Sequence, residues 1–148
     1  MKKILLVSLL SLSLFGLTIG DKLDGKTIKT LKLKSNIIYV VDIFASWCHS
    51  CKKELPLVSK LNNTINKTKY EIIGIDIDED KKIGINFQQQ VAVNFRVIND
   101  DKNVIVKTFA PVGIPALYII KNGLIIDEII GAVDKIDTVI NKKLAKIK

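Results

Sequence analysis

Two cysteines, Cys48 and Cys51, are the only ones in a chain of 148 residues, and their spacing limits what they can do. A disulfide that stabilises a fold by restraining the unfolded chain closes a long loop. A pair at i, i+3 closes almost none, so a bond between these two is kept for its reactivity. A Cys-x-x-Cys pair also occurs in metal sites. Here the single His, His49, lies between the cysteines, and a complete set of soft ligands is missing within the chain. Thiol–disulfide exchange is the favoured chemistry, metal binding the weaker alternative: in exchange one thiolate attacks a partner's sulfur and the second resolves the mixed disulfide.

Reactive thiols need a scaffold, and the hydrophobic pattern outlines one. Residues 37–44 are apolar apart from Asp42 and read as a strand buried on both faces. Residues 51–66 have helical spacing, so a helix begins just behind the two cysteines. There the unsatisfied N–H groups and the helix dipole stabilise a thiolate. A second buried strand is expected over 71–77, a helix over 83–91, a short strand over 95–98 and a short helix over 103–109. Residues 116–120 and 124–130 form two apolar strands around Asn122-Gly123, a strong hairpin signal. An amphipathic helix over 134–146 closes the chain. Ahead of these, residues 23–26 read as a turn and 27–33 as a strand. Strands alternate with helices until the final hairpin, so one α/β domain with a central mixed sheet flanked by helices is expected over residues 21–148.

The first twenty residues have a different character. Lys2 and Lys3 precede a mostly apolar run from residue 4 to 19, and Thr18-Ile19-Gly20 supplies small residues at alternate positions. This reads as a signal peptide cleaved after Gly20, or else as an uncleaved anchor. The apolar run is shorter than the ~20 residues of an ordinary spanning helix, which favours cleavage. In either case the domain is expected in the periplasm or on the outer face of the cytoplasmic membrane. Without Lys2 and Lys3, 21 basic residues stand against 15 acidic ones. Arg96 is the only arginine, and no RNA-binding motif accompanies the scattered lysines. The charge therefore reads as a solvated lysine-rich surface, and nucleic acid is not an expected partner.

Residues 44–53, Phe-Ala-Ser-Trp-Cys-His-Ser-Cys-Lys-Lys, resemble the active-site segment of thioredoxins. Val112-Gly113-Ile114-Pro115-Ala116, with Lys121-Asn122-Gly123 and Gly131-Ala132 downstream, resembles the cis-proline strand and terminal hairpin of that fold. Trp47-Cys48 through Glu54 to Pro56 is similar to the extended signature of the TlpA/ResA/CcmG-like extracytoplasmic branch. Thirty-nine positions separate Asp76 from Pro115, far beyond the ~12 of a plain crossover. The excess, residues 78–101, would hold the extra helix and strand that this branch inserts before the cis-proline strand.

The resemblance implies roles residue by residue. Cys48 is the exposed nucleophile and Cys51 the resolving thiol. Asp42, six residues before Cys48, coincides with the buried acid of thioredoxin and would relay a proton to or from Cys51. Ile114–Pro115 is cis, beside the cysteines, and pairs with an extended substrate. Trp47, His49, Ser50, Gly113 and Ile114 complete the docking surface. Glu79 falls roughly where the branch carries a second buried acid, although an acidic loop there also reads as simply solvated. Glu54 reads either as a surface residue or as part of a partner-facing rim. No metal and no cofactor is implied. The implied activity is reduction of disulfides in exported proteins, apocytochrome c among them, with electrons from a membrane donor of DsbD/CcdA type. The alternatives are a disulfide-donating oxidant of DsbA type, whose large helical insertion the short extra segment here does not match, and a copper-binding chaperone module.

Overall fold

The computed structural model describes residues 16–147. Five strands form one sheet in the order β3-β2-β1-β4-β5. The central strand β1 (Ile38–Phe44) pairs in parallel with β2 (Tyr70–Asp76), which pairs in parallel with the edge strand β3 (Arg96–Asn99). On its other side β1 meets β4 (Ala116–Lys121) antiparallel, and β4 turns at Asn122-Gly123 into β5 (Leu124–Ile130). Asn122 and Gly123 both have positive φ, as a tight hairpin turn requires.

Alternation along β1 divides the core. Tyr39, Val41 and Ile43 face one side, where they pack with Leu31 of α1 (Gly25–Leu31) and with Ile105 and Phe109 of α4 (Val104–Phe109). Val40 and Phe44 face the other side. Val40 packs with Val58 of α2 (His49–Asn62) and Ile140 of α5 (Ile136–Ala145), and Phe44 with Cys51 and Leu55 of α2 and Phe87 of α3 (Lys81–Gln90). Helices thus cover both faces, as the fold class required. The inserted pair is α3 and β3: the helix closes over the redox end of the sheet and the strand extends its edge.

One expected element is different. Residues 27–33, read as a strand, belong mainly to helix α1. The apolar residues Ile28, Leu31 and Leu33 mix i+3 and i+2 spacings, so the pattern alone is ambiguous, and the cap decides it. Asp24 accepts from Thr27 N–H at 2.8 Å and from the Thr27 hydroxyl at 2.9 Å, an N-cap. Lys32, in the left-handed region, ends the helix with its N–H directed back to Ile28 and Lys29.

Residues 1–15 of the expected signal segment lie outside the described residues, but 16–20 are packed on the domain. Leu17 N–H donates to Phe109 O (2.8 Å), Gly20 N–H to Ile125 O (2.9 Å), and the Thr18 hydroxyl to Glu128 (2.9 Å). Gly16 lies so close to Ala110 that a Cβ would stand 2.0 Å from its carbonyl oxygen. A chain beginning at Asp21 loses these bonds, at about 1 kcal/mol each when well formed and less when exposed. Its melting temperature is expected to fall by roughly 5–10 °C against a chain beginning at Gly16, as followed by circular dichroism. Equal melting would show that the strap contributes nothing.

Candidate active site

The redox pair sits where β1 hands over to α2. The turn at residues 45–48 closes with Cys48 N–H donating to Ala45 O at 3.1 Å. Cys48 is itself the N-cap of α2, its Sγ accepting from Cys51 N–H at 3.1 Å. The two sulfurs are bonded, with Cα atoms 5.2 Å apart. Cys48 is 7% exposed and Cys51 1%, so the first sulfur is the one a partner can reach. A thiolate formed at Cys48 would receive the Cys51 N–H and stand on the helix axis at its positive end.

The expected docking residues gather around this pair. Trp47 is 68% exposed and His49 is exposed. Ser50 lies half-buried in a cleft of about 230 Å³ that Lys53, Glu54, Val133 and Lys135 also line. The Ile114–Pro115 bond is cis. Gly113 is exposed, Ile114 packs against the cluster that contains both cysteines, and Pro115 is buried with its carbonyl accepting from Gly131 N–H at 2.8 Å.

Beneath the pair lie two acids. Asp42 alternates with Val40 and Phe44 on β1, so it faces α2 between the residues that touch Val58 and those that touch Cys51. Glu54 follows Cys51 by three residues, one helical turn, and shares the buried face of α2 with Leu55 and Val58. Both are buried, and among the described residues none of their four carboxylate oxygens has a hydrogen-bond partner. Burial pushes Asp42 up to about 7. Burial and the adjacent Asp42 charge push Glu54 up to about 9. Each carboxyl therefore holds its proton far better than an exposed acid does.

Glu79 does not supply the second buried acid: it is exposed, in the loop before α3. Its side chain lies past the end of β2, where the sheet no longer covers it. Glu54 holds the buried position instead. The signal for it was the i+3 step from Cys51, but only the orientation of α2 on the sheet shows that this step points inward.

A thioredoxin-like family model matches residues 36–125, the stretch from just before β1 through the cysteines and the cis-proline to the start of β5. The chain belongs to the thioredoxin-like family. Over 110 residues it is 32% identical to the thiol-disulfide oxidoreductase ResA of Bacillus thuringiensis, covering 74% of this chain and 63% of that protein. ResA of Bacillus subtilis is 26% identical over 97 residues, 66% of this chain and 54% of the relative. The match thus spans less than two thirds of these relatives. Among solved structures, a putative thiol:disulfide interchange protein DsbE from Chlorobium tepidum superposes with a TM-score of 0.74 at 21% identity, over 87% of this chain and 96% of that one. That likeness is one of fold. The thioredoxin-like assignment covers the mixed sheet, the inserted α3 and β3, and the placement of Cys48 at a helix start.

Proposed function

We propose that this protein is an extracytoplasmic thiol–disulfide oxidoreductase that reduces disulfides in exported proteins, apocytochrome c being a candidate substrate. The observation that carries the proposal is a Cys48–Cys51 disulfide at the start of α2, with two buried acids packed beneath it. In the reduced state the Cys48 thiolate attacks one sulfur of a substrate disulfide and displaces the other as a thiolate. Cys51 then gives its proton to the Asp42 carboxylate, the more acidic of the two, and attacks the mixed disulfide. The substrate leaves as a dithiol, and Cys48–Cys51 closes. Two electrons pass to the substrate in each cycle. A donor of DsbD/CcdA type at the membrane would restore the dithiol by the reverse exchange.

Export is supported by the cationic start and apolar run of the first twenty residues. Among the described residues no helix is long and apolar enough to cross a membrane. Similarity to proteins named thiol-disulfide oxidoreductase supports the reaction type. The direct test is catalytic reduction of insulin disulfides driven by dithiothreitol. Turnover well above the dithiothreitol background is expected, and a rate equal to background would remove the proposal.

A further inference from the structure

The loop that presents Trp47 and Cys48 is held from below by a carboxylate outside the redox pair. Asp78 follows β2, is 5% exposed, and gives both of its oxygens to one residue: Ser46 N–H donates to it at 2.8 Å and the Ser46 hydroxyl at 2.7 Å. Asp78 is in turn fixed by Asp76, whose carboxylate accepts from Asp78 N–H at 2.9 Å. Gln88 of α3 donates to Asp76 at 2.6 Å and to Asn99 of β3 at 2.9 Å. At Gly84 a Cβ would stand 2.5 Å from the Asp76 carboxylate, so α3 packs directly against it. A continuous set of hydrogen bonds therefore runs from the inserted helix and strand to the residue two positions before the nucleophile.

We propose that Asp78 is a positioning residue of the redox centre, fixing the Ser46–Cys48 loop so that the Cys48 sulfur stays on the Cys51 N–H at the start of α2. The proposal rests on Cys48 being the attacking thiol. Ser46 is part of the short turn closed by Cys48 N–H on Ala45 O, so releasing Ser46 loosens the turn that places the sulfur. A thiolate displaced from the helix start loses its N–H donor and its place on the helix axis.

Position and charge can be separated because they act in opposite directions. Removing a negative charge near Cys48 would lower the thiol pKa, whereas loosening the turn would raise it. Asp78→Ala removes both the charge and the tether. Asp78→Asn removes the charge but keeps two contacts, since the amide oxygen accepts from Ser46 N–H and the amide nitrogen donates to the hydroxyl. The experiment is a thiolate absorbance titration of the reduced full chain, with the melting temperature measured beside it.

Asp78→Ala is expected to raise the Cys48 pKa by about one unit, about a tenfold loss of thiolate at a pH below it, while Asp78→Asn, which loses the charge but keeps the tether, stays at or below the wild-type value. Depression of the pKa in both variants would overturn the proposal in favour of simple charge. A lowered melting temperature with an unchanged pKa would overturn it in favour of a purely structural role. Should Asp78→Ala not fold, Ser46→Ala decides: loss of one of the two bonds should give a smaller rise, and no rise contradicts the proposal. Wild-type failure to turn over insulin would remove the proposed function instead, a result read independently of these titrations.

Discussion

Replacing Cys48 with Ser is expected to abolish reduction of insulin disulfides, a loss of at least ~10³-fold, because a hydroxyl neither ionises near neutral pH nor exchanges with sulfur. Cys51→Ser should fail differently. Cys48, the more exposed sulfur at the helix N-cap, remains free to attack, but nothing resolves the product. This variant should accumulate a mixed disulfide with its substrate, visible as a mass increase on intact-protein mass spectrometry and reversed by dithiothreitol. The asymmetry follows from the structure, since Cys51 is closed off beneath the helix start at 1% exposure. If Cys48→Ser trapped substrate and Cys51→Ser did not, the assignment of nucleophile and resolving thiol would be reversed.

The second large effect belongs to the buried acids. An unfolded Asp or Glu ionises near pH 4, whereas Asp42 and Glu54 in the folded chain hold their protons to about 7 and about 9. Over that interval the folded chain binds more protons than the unfolded one, so stability falls as pH rises. The protein should therefore melt at a higher temperature at pH 5 than at pH 9. In the double variant Asp42→Asn/Glu54→Gln, stability should change less between these pH values and should exceed the wild type at pH 9. Asp76, raised to about 6 mainly by burial, keeps its own part of the slope below neutral pH in both proteins. Catalysis should move the other way. Asp42→Asn removes the proton acceptor on the Cys51 side, and turnover is expected to fall by about a hundredfold, the lower end of general-base effects. Denaturation midpoints at several pH values, paired with insulin turnover, check both halves. A slope as steep in the double variant as in the wild type would show that these carboxyls titrate normally.

The parts of the site that could be read from the sequence are those written locally. Cys48 and Cys51 declare themselves by spacing, Asn122-Gly123 by turn chemistry, and the inserted α3 and β3 by the long interval before Pro115. Helix α1 differs from the strand its pattern suggests because seven residues with mixed spacing carry too little periodicity to separate a helix from a strand. The distinguishing feature, the Asp24 cap, is a hydrogen bond to Thr27. Glu54 stays ambiguous in the sequence because three residues beyond Cys51 on a helix specifies a direction only once the helix is laid on the sheet. Asp78 could not be found at all: its partner Ser46 is 32 positions away, and the pairing depends on β1 and β2 ending side by side. The same holds for the strap at residues 16–20, whose partners on α4 and β5 lie about a hundred positions downstream.

The central claim, a dithiol poised to reduce, is tested most directly by the reduction potential of Cys48–Cys51. Trp47 is the only tryptophan and lies next to Cys48, so its fluorescence can follow equilibration against glutathione or dithiothreitol. A midpoint at or below roughly −250 mV, in the thioredoxin range, is the expected result. A midpoint near about −120 mV, typical of a disulfide donor such as DsbA, would contradict it.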